Sequence, residues 1–485
     1  MSVAQQAARG VAWNMLLGVS SRMLQIVGTL ILTRFIAPDE YGAVLTASIA
    51  VMTGGVLTSF AFGQHLIAKR ATPEIAFQAM VAHIGLGFVA MAVVVALRDP
   101  LGRVFDSPAM SHYVLYFAIA HILDRSRYVP ERLIMRALKF RTIAAINGFA
   151  ELAFTVAALS TAQRWGAYAI VFGALVRSTL QAALYFRLAP RAEWWAPTKL
   201  KRADLRDLFG YGLPIMIAAM ADRAATRWDN LVMSKLFNPG IMGQYNLSFS
   251  LAEMPVNNIA EQIGEVLMPS FSRMEHDQRR RAVVRSAALL QVVVAPLGVG
   301  LGAVAPTVVA TFFDARWQAM APMLVILSIM TVFRPMTWSA IAYLQAVQQT
   351  RLVMMSSFLR AVVVLSLVAG FGYAGGPLAA CVGACVGYAL HSLLTIVVAC
   401  RVNELPVGAY LLGVTRPLLP CIPMFFAVDG LGRFFAGTQL HPAASLGFQI
   451  VTGGLVYIAS AFVLIRRDAS ELVRLGREAI SRRRK

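Results

Sequence analysis

Arginine residues within long apolar segments are the side chains best placed to do chemistry in this sequence. A charged group at the centre of a lipid bilayer costs about 2.5–3.5 kcal/mol, so it must face a protein interior or a water-filled cavity. Arg22 and Arg223 lie far from the ends of their segments. Because a guanidinium is planar, always charged and able to donate two parallel hydrogen bonds, such a position suits a phosphate group. The cationic residues within apolar segments are Arg22, Arg125, Arg127, Arg177, Arg223, Arg227, Arg334, Arg360 and Arg416.

The densest set of polar residues occurs in segment 207–236. On a helical wheel Arg223, Arg227 and Asn230 cluster on one face. Two arginines four residues apart repel each other, so nearby aspartates or a bound anion must compensate. The set is therefore either an internal ion-pair network that joins two helices or a cationic surface that faces a ligand. We predict that Arg22, Arg223, Arg227 and Asn230 bind substrate. The stripe beside them contains Asp222, Thr226 and Asp229.

Acidic residues follow one another at intervals of four in segment 241–268. Such a stripe could bind a coupling Na⁺ or H⁺, or it could neutralise the arginines, and the sequence leaves both alternatives open. No other cofactor and no metal site is expected, because Cys381 and Cys385 share a helical face without a histidine or carboxylate beside them. The stripe consists of Glu253, Asn257, Glu261 and Glu265. The candidates for ion coupling are Glu253, Glu261, Glu265, Asp222 and Asp229.

Several further polar residues are predicted to hold helices together. Asp124, Arg127 and Glu131 lie on one helical face and could pair among themselves. Asn147 and Glu151 are candidate partners for Arg177. Three isolated histidines are predicted to be hydrogen-bonded packing residues: His65, His83 and His391.

The composition shows which elements must position these residues. Of 485 residues, 58% are hydrophobic and 14% are charged, whereas soluble domains carry about 25% charged residues. Backbone groups in lipid must be satisfied internally, and long continuous runs favour helices over strands. The sequence thus predicts an all-α integral membrane protein of about fourteen spans, each near 20 residues. The predicted spans are 9–35, 41–63, 75–97, 110–131, 142–161, 165–186, 207–236, 241–268, 284–312, 318–346, 352–373, 376–400, 406–428 and 445–465.

Charge distribution predicts the orientation of these spans. The net charge is +20, which on a soluble protein would suggest nucleic acid. Here the basic residues alternate between loops with roughly a four-to-one bias, as expected of a membrane protein with positive cytoplasmic loops. We therefore expect both termini in the cytoplasm and no nucleic-acid partner.

An internal repeat appears when the sequence is shifted by 201 residues. The shift places Arg22 on Arg223, Pro38 on Pro239 and Gly42 on Gly243. Six spans separate the copies, so both halves enter the membrane from the same side, and Arg22 and Arg223 would face each other across a central cavity. The predicted divisions are an N-lobe at 1–186, a basic linker at 187–206, a C-lobe at 207–400, two further spans at 401–465 and a basic amphipathic tail at 466–485.

Motifs near the start of the chain resemble those of the polysaccharide transporter, or oligosaccharide flippase, family. They are Arg9–Gly10 followed by Trp13, the stretch LTRFIAPDEYG at Leu32–Gly42, and GQ-x-LI at Gly63–Ile67. This family belongs to the multidrug/oligosaccharidyl-lipid/polysaccharide exporter superfamily. The resemblance implies two six-helix bundles around a V-shaped cavity and alternating access.

The resemblance also implies a cargo. The implied cargo is an oligosaccharide on undecaprenyl diphosphate that is moved across a bacterial inner membrane. The oligosaccharide would be used to make O-antigen lipopolysaccharide, capsule or exopolysaccharide. Other polysaccharide assembly proteins are the implied protein partners. Cavity arginines of the family hold the pyrophosphate; Arg22 and Arg223 match by position, and Arg227 extends that set. Membrane lipid is the second expected partner.

Two other functions remain as alternatives. Multidrug or cation antiport in the same fold would favour acidic cavities, and the acidic stripe keeps it open. A membrane enzyme such as a sugar polymerase or ligase would need a large outside loop, and no nucleotide, zinc-hydrolase or serine-hydrolase motif occurs. We therefore expect a transporter and not an enzyme.

Overall fold

The computed structural model describes residues 24, 27–68, 72–137, 139–272, 274–438 and 440–483. Side chains are described throughout, except at 67–68, 214, 225, 257–266, 268–270, 272, 350 and 475–483. All regular secondary structure in these ranges is helical, which confirms the predicted all-α class. The helices form two compact units, Met1–Gly243 and Gln244–Lys485.

The first unit is a bundle in which α5 is the central helix. It packs against α1, α3 and α7, while α8 packs against α1, α2 and α3. A core near one end is built from residues such as Phe62, Leu66, Leu133 and Tyr185. The helices of this unit are α1 (Pro38–Val56), α2 (Phe62–Ala68), α3 (Pro73–Ala96), α4 (Arg98–Val104), α5 (Met110–Arg136), α6 (Phe140–Trp165), α7 (Tyr168–Leu188) and α8 (Arg202–Leu236).

The second unit is organised around the long helix α10. Helices α11, α14, α15 and α16 all pack on it, and α17 contacts both α10 and α16. The core includes Tyr343, Tyr410, Met424 and Tyr457, all buried. The helices are α9 (Pro239–Ser272), which begins in the first unit, α10 (His276–Phe312), α11 (Met320–Met330), α12 (Trp338–Ala346), α13 (Thr350–Val402), α14 (Val407–Thr415), α15 (Cys421–Ala436), α16 (Pro442–Leu464) and α17 (Arg466–Arg483).

Each predicted span from the second onward overlaps one of these helices, and most of the first span lies outside the described residues. Eight helical segments in the described chain are long and apolar enough to cross a membrane. Helices α1, α5, α8 and α9 fall short of that standard. Three of these four, α1, α5 and α8, carry polar residues of the cavity described below. The count of fourteen spans therefore stays a prediction.

Helix α13 is two helices joined at a sharp turn. Gly375 and Gly376 have non-helical backbone angles, and Gly376 adopts φ +79°, a conformation that only glycine reaches easily. Gly383 packs on Leu367, and Gly387 on Val364, so the two segments lie antiparallel. The predicted boundary between the eleventh and twelfth spans, at 373–376, falls on this turn.

The repeated motif forms a reciprocal contact within the first unit. Gly42 at the start of α1 packs against the carbonyl of Pro239, and Gly243 near the start of α9 packs against the carbonyl of Pro38. These pairs are equivalent under the 201-residue shift. A reciprocal contact between equivalent residues is the geometry that a two-fold axis generates, so the repeat is visible in the packing of this corner.

The compact units do not coincide with the predicted lobes. Helix α8, the first helix of the predicted C-lobe, packs on α1, α2 and α3, and His65 of α2 lies 2.8 Å from the carboxylate of Asp207 on α8. The predicted lobes describe the repeat, and their boundaries stay a prediction. In the tail, α17 begins at Arg466, the first residue of the predicted basic segment.

Candidate functional site

Helix α5 presents a row of ionisable side chains to the interior of the first unit. The Arg127 guanidinium contacts Asp124 at 3.1 Å and Glu131 at 2.6 Å, and it lies over the Tyr185 ring at 5.5 Å. The predicted pairing within this helix is therefore confirmed. Because Arg127 holds both carboxylates, neither is left as an uncompensated charge.

Arg125 is held by a network that crosses three helices. Its side chain is 5% exposed and donates hydrogen bonds to His121 at 3.1 Å and to the carbonyl and hydroxyl of Thr58 at 3.2 and 3.1 Å. It also donates to the carbonyl of Gly55 and lies 3.2 Å from the His83 ring. Arg125 thus ties α5 to α3 and to the end of α1.

Two glycines give these side chains their space. A Cβ atom at Gly55 would overlap the His121 ring, and one at Gly87 would lie 2.9 Å from the Arg125 side chain. His83 stacks on Tyr128 at 4.3 Å between ring centroids. His83 is therefore a packing residue bonded to Arg125, as predicted. His65 and His391 are likewise packed and hydrogen-bonded, to Asp207 and to Ser356 respectively.

A cavity of about 470 Å³ lies among α1, α3, α5, α7 and α8 of this unit. Its wall contains more arginines than carboxylates, with the hydroxyls of Ser48, Ser59 and Ser178 between them. The arginine, carboxylate and histidine residues on the wall are Arg125, Arg127, Arg132, Arg177, Arg223, Asp124, Glu131, His83 and His121.

Arg223 is the predicted substrate-binding residue that lines this cavity. It is half-buried, and within the described chain it makes no ion pair. Its electrostatic neighbours are Arg227, four residues along the same helix, and Asp222. Arg227 is also half-buried and lies in electrostatic range of Tyr41. The i, i+4 arginine repulsion expected from the sequence is therefore present in the structure.

Other predicted site residues lie elsewhere. Asn230 and Asp229 are buried, and the Asp229 carboxylate accepts hydrogen bonds at 2.9 Å from both the backbone and the side-chain nitrogen of Asn230. Asn230 thus does not share the cavity wall with Arg223. Asp222 is exposed at the surface of α8. Arg22 lies outside the described residues.

In the second unit, Glu253 of the acidic stripe forms an ion pair with Arg334. Arg334 also lies over the Tyr388 ring at 5.7 Å. Of the two alternatives for this carboxylate, neutralisation of an arginine is the one that the geometry favours. The side chains of Asn257, Glu261 and Glu265 lie outside the described part of the chain.

The predicted partners of Arg177 are half correct. Glu151 lies 3.5 Å from the Arg177 guanidinium, but Asn147 accepts hydrogen bonds from Gln181 at 3.0 Å and Tyr185 at 3.3 Å. The reason is helical geometry. On α7, Gln181 lies one turn after Arg177, and on α6, Asn147 lies one turn before Glu151. Gln181 therefore lies beside Asn147 when Arg177 lies beside Glu151.

Two residues of the cavity wall, Arg132 and His121, are not singled out by the sequence pattern. The sequence predicts Arg132 in a loop, because the fourth predicted span ends at residue 131, but α5 continues to Arg136. The Arg132 guanidinium lies over the Tyr128 ring at 5.1 Å. His121, the second of them, lies one turn before Arg125. The spacing of His121, Arg125, Tyr128 and Arg132 is the repeat of one helical face, and it could have revealed both.

The comparison with protein families gives a direct assignment. Residues 31–322 match the family described as "Polysaccharide biosynthesis protein". The chain belongs to this family.

Curated relatives of the family agree in length as well as in sequence. The succinoglycan biosynthesis transport protein ExoT of Rhizobium meliloti (strain 1021) is 23% identical over 98% of this chain and 96% of its own. The lipopolysaccharide biosynthesis protein WzxC of Escherichia coli (strain K12) is 21% identical over 90% of each chain. The resemblance seen in the opening motifs is thereby confirmed.

Solved structures show the same fold. The lipid II flippase MurJ in an inward closed conformation superposes with a TM-score of 0.76 at 12% identity, over 93% of this chain and 98% of its own. An inward-facing multidrug resistance MATE family transporter of the MOP superfamily gives 0.60 at 13% identity, over 82% and 99%. The chain is thus a multi-pass membrane protein of the polysaccharide biosynthesis family, with the fold that these two transporters share.

Proposed function

We propose that this protein moves a lipid-diphosphate-linked oligosaccharide, carried on undecaprenyl diphosphate, from the inner to the outer leaflet of a bacterial inner membrane. The transported glycan would enter O-antigen, capsule or exopolysaccharide synthesis. The observation that carries the proposal is Arg223 on the cavity wall, half-buried and without an ion pair among the described residues.

The charge of the cavity favours an anionic cargo. Asp124 and Glu131 are both taken by Arg127, and Glu151 lies against Arg177. Arg125, Arg132 and Arg223 have no carboxylate within ion-pair distance in the described chain. Arg125 is already held by carbonyl, hydroxyl and imidazole groups, so Arg132 and Arg223 are the two with charge left to compensate. A diphosphate would compensate them, since guanidinium groups bind phosphate oxygens through paired hydrogen bonds.

The size and the polar lining of the cavity suit a sugar headgroup. Its volume of about 470 Å³ lies within the range of small-molecule sites, about 300–1,000 Å³. The serine hydroxyls and the two carboxylates that contact Arg127 are hydrogen-bond partners for sugar hydroxyls. The MurJ structure is named a lipid II flippase, and a flippase mechanism by alternating access is the corresponding proposal for this chain.

The other elements of the proposal follow from the charge bias of the loops, from the family resemblance and from the ion pairs. Both termini would lie in the cytoplasm, with polysaccharide assembly proteins as partners in the same membrane. Coupling of transport to Na⁺ or H⁺ would require a carboxylate that is not held in an ion pair. Because Glu253 forms an ion pair with Arg334, Glu261 and Glu265 are the better candidates on helix α9. The protein would catalyse no chemical step.

The alternative, multidrug or cation antiport, fits this cavity less well. An organic cation needs a carboxylate that no resident arginine neutralises. The two carboxylates on the wall both contact Arg127, so a cation entering the cavity would meet arginines in excess.

The proposal is tested by reconstituting the full chain into liposomes and measuring leaflet exchange of two fluorescent probes. One is an oligosaccharide on polyprenyl diphosphate, and the other is the same sugar joined to polyprenol by a neutral ether. We expect the protein to exchange only the diphosphate probe between leaflets. Measuring that rate in the presence and absence of Na⁺ and H⁺ gradients tests ion coupling. Equal exchange of the neutral probe, or protein-dependent uptake of an organic cation instead, would contradict it.

A further inference from the structure

A second arginine-rich cleft, separate from the cavity of the first unit, lies in the second unit. It has a volume of about 740 Å³ and lies among the start of α10, helix α14 and the start of α17. Its walls run from Asp277 to Ala288 on α10 and from Pro406 to Arg416, which is about 15 Å at the rise of an α-helix. In the predicted orientation both walls begin at the cytoplasmic surface of the membrane.

The cleft carries an excess of positive charge. Arg285 forms an ion pair with Glu471 of α17, and Asp277 lies 3.7 Å from His276. No ion pair involving the other three arginines occurs in the part of the chain that the structure describes. The charged residues on the walls are Arg280, Arg281, Arg285, Arg416, Asp277 and Asp468.

Arg416 is the residue that most requires an anion. It is exposed and lies in the short 3-10 turn between α14 and α15, well inside the predicted thirteenth span. A guanidinium at that depth is costly unless its long side chain reaches phosphate at the membrane surface. The cleft provides such a path, because it joins Arg416 to Arg280 and Arg281 nearer the start of α10.

One wall of the cleft is apolar and faces outward. Pro406, Ala409 and Leu412 of the α14 segment line it and are exposed, while Val284 and Ala288 form the opposite side. Gly413 lies where α14 approaches α10, with Ala288 at 3.6 Å from the position of a Cβ atom. Arginines on both walls beside an exposed apolar surface match a molecule that has both a phosphate and hydrocarbon chains.

We propose that this cleft binds the headgroup of an anionic glycerophospholipid of the inner leaflet. Its phosphodiester contacts Arg280, Arg281 and Arg416, and its acyl chains follow Val284 and Leu412. Basic pockets between transmembrane helices on the cytoplasmic side bind lipid headgroups in this way. The apolar wall favours a lipid over free phosphate, which would leave that wall exposed.

The bound lipid also has a structural consequence for the tail. Helix α17 is fixed to the cleft by the Arg285–Glu471 pair and by Ala469 and Leu472, which pack in the core of the unit. A phosphodiester among Arg280, Arg281 and Arg416 removes the repulsion between the walls on which α17 rests. Lipid binding therefore stabilises the docked position of the tail helix.

The test uses the purified full chain in a neutral detergent, with phosphatidylglycerol or phosphatidylcholine titrated into the micelles. Apparent affinity is read from the shift of the thermal unfolding midpoint. We expect phosphatidylglycerol to raise the midpoint and phosphatidylcholine to have no effect. The Arg281→Ala/Arg416→Ala double variant should bind phosphatidylglycerol about twenty-five-fold more weakly, each arginine contributing about fivefold.

Two variants control for folding and general charge. Arg433→Ala removes an exposed arginine of α15 that contacts Asp429 and should leave the affinity unchanged, while Arg281→Lys/Arg416→Lys should retain most of it. If the double alanine variant does not fold, the single Arg281→Ala variant carries the test through its fivefold weaker binding.

Several results would overturn the proposal. Wild-type affinity in the alanine variants would remove the arginines from the site. If millimolar inorganic phosphate competed with phosphatidylglycerol, the cleft would be a site for soluble phosphate. If the lipid-linked oligosaccharide displaced phosphatidylglycerol, the cleft would be a substrate site. The test is independent of transport, because Arg223→Ala should leave phosphatidylglycerol binding unchanged.

Discussion

At the scale of single residues, the arginines of this membrane protein divide into two kinds. Arg125, Arg127 and Arg334 are satisfied by the protein itself, through carbonyls, carboxylates or an aromatic ring. Arg223 and Arg416 have no ion pair in the described chain, and each lies on the wall of a cavity. The first kind holds helices together, and the second kind is the one that we assign to anionic ligands.

The Glu253–Arg334 pair provides a test of this division. Glu253→Gln or Arg334→Gln should each destabilise the protein by on the order of 2 kcal/mol, because the remaining charge is largely buried. The double exchange Glu253→Arg/Arg334→Glu should recover part of that stability. Thermal unfolding in detergent measures the effect, and leaflet exchange with and without an ion gradient measures coupling. The double exchange could restore wild-type stability while leaflet exchange no longer depends on the ion gradient. That result would show that Glu253 couples transport to a cation.

At the scale of elements, glycine and proline set how closely helices approach. The starts of α1 and α9 meet through Gly42 against Pro239 and Gly243 against Pro38. Thr46 one turn further lies 3.5 Å from Ser234 of α8, so this corner joins three helices. Backbone atoms in contact leave no room for even a methyl group.

Substituting these glycines should therefore destabilise the fold. Gly42→Ala and Gly243→Ala should each cost about 1–3 kcal/mol, the usual cost of overpacking. Gly85→Ala in α3 is the matched control, since no atom lies within 4 Å of its Cβ position, and it should be neutral or slightly stabilising. Unfolding midpoints compare the three variants. Equal midpoints for Gly42→Ala and Gly85→Ala would exclude the close contact.

At the scale of the whole molecule, the sequence predicts helices and contacts within a helix better than contacts between helices. Apolar runs predict the helical segments, and spacing of three and four predicts Asp124–Arg127–Glu131, because helix geometry alone brings those side chains together. The partner of Asn147, the pairing of Glu253 with Arg334 and the position of Arg132 depend on how neighbouring helices are rotated and where they end. A single sequence does not contain that information.

The same limit applies to the candidate site. The internal repeat and the apolar context indicate Arg223, and the structure places it on a cavity wall. The surrounding residues of α5 could not be assigned to the same cavity, because their helix lies far from α8 in sequence. Asn230 lies two turns along α8 from Arg223 and is buried instead. A helical wheel shows which residues share a face, but it does not show how far apart they lie along the helix axis.

The central role of the cavity arginines is tested most directly by measuring leaflet exchange of a fluorescent diphosphate-linked oligosaccharide by Arg223 variants in proteoliposomes. Arg223→Ala should reduce the exchange rate more than tenfold, because removing a phosphate-binding guanidinium from a desolvated site costs more than about 1.4 kcal/mol. Arg223→Lys should retain part of the rate, and Arg103→Ala, at an exposed position on α4, should match wild type. A wild-type rate for Arg223→Ala would contradict the role that we assign to these arginines.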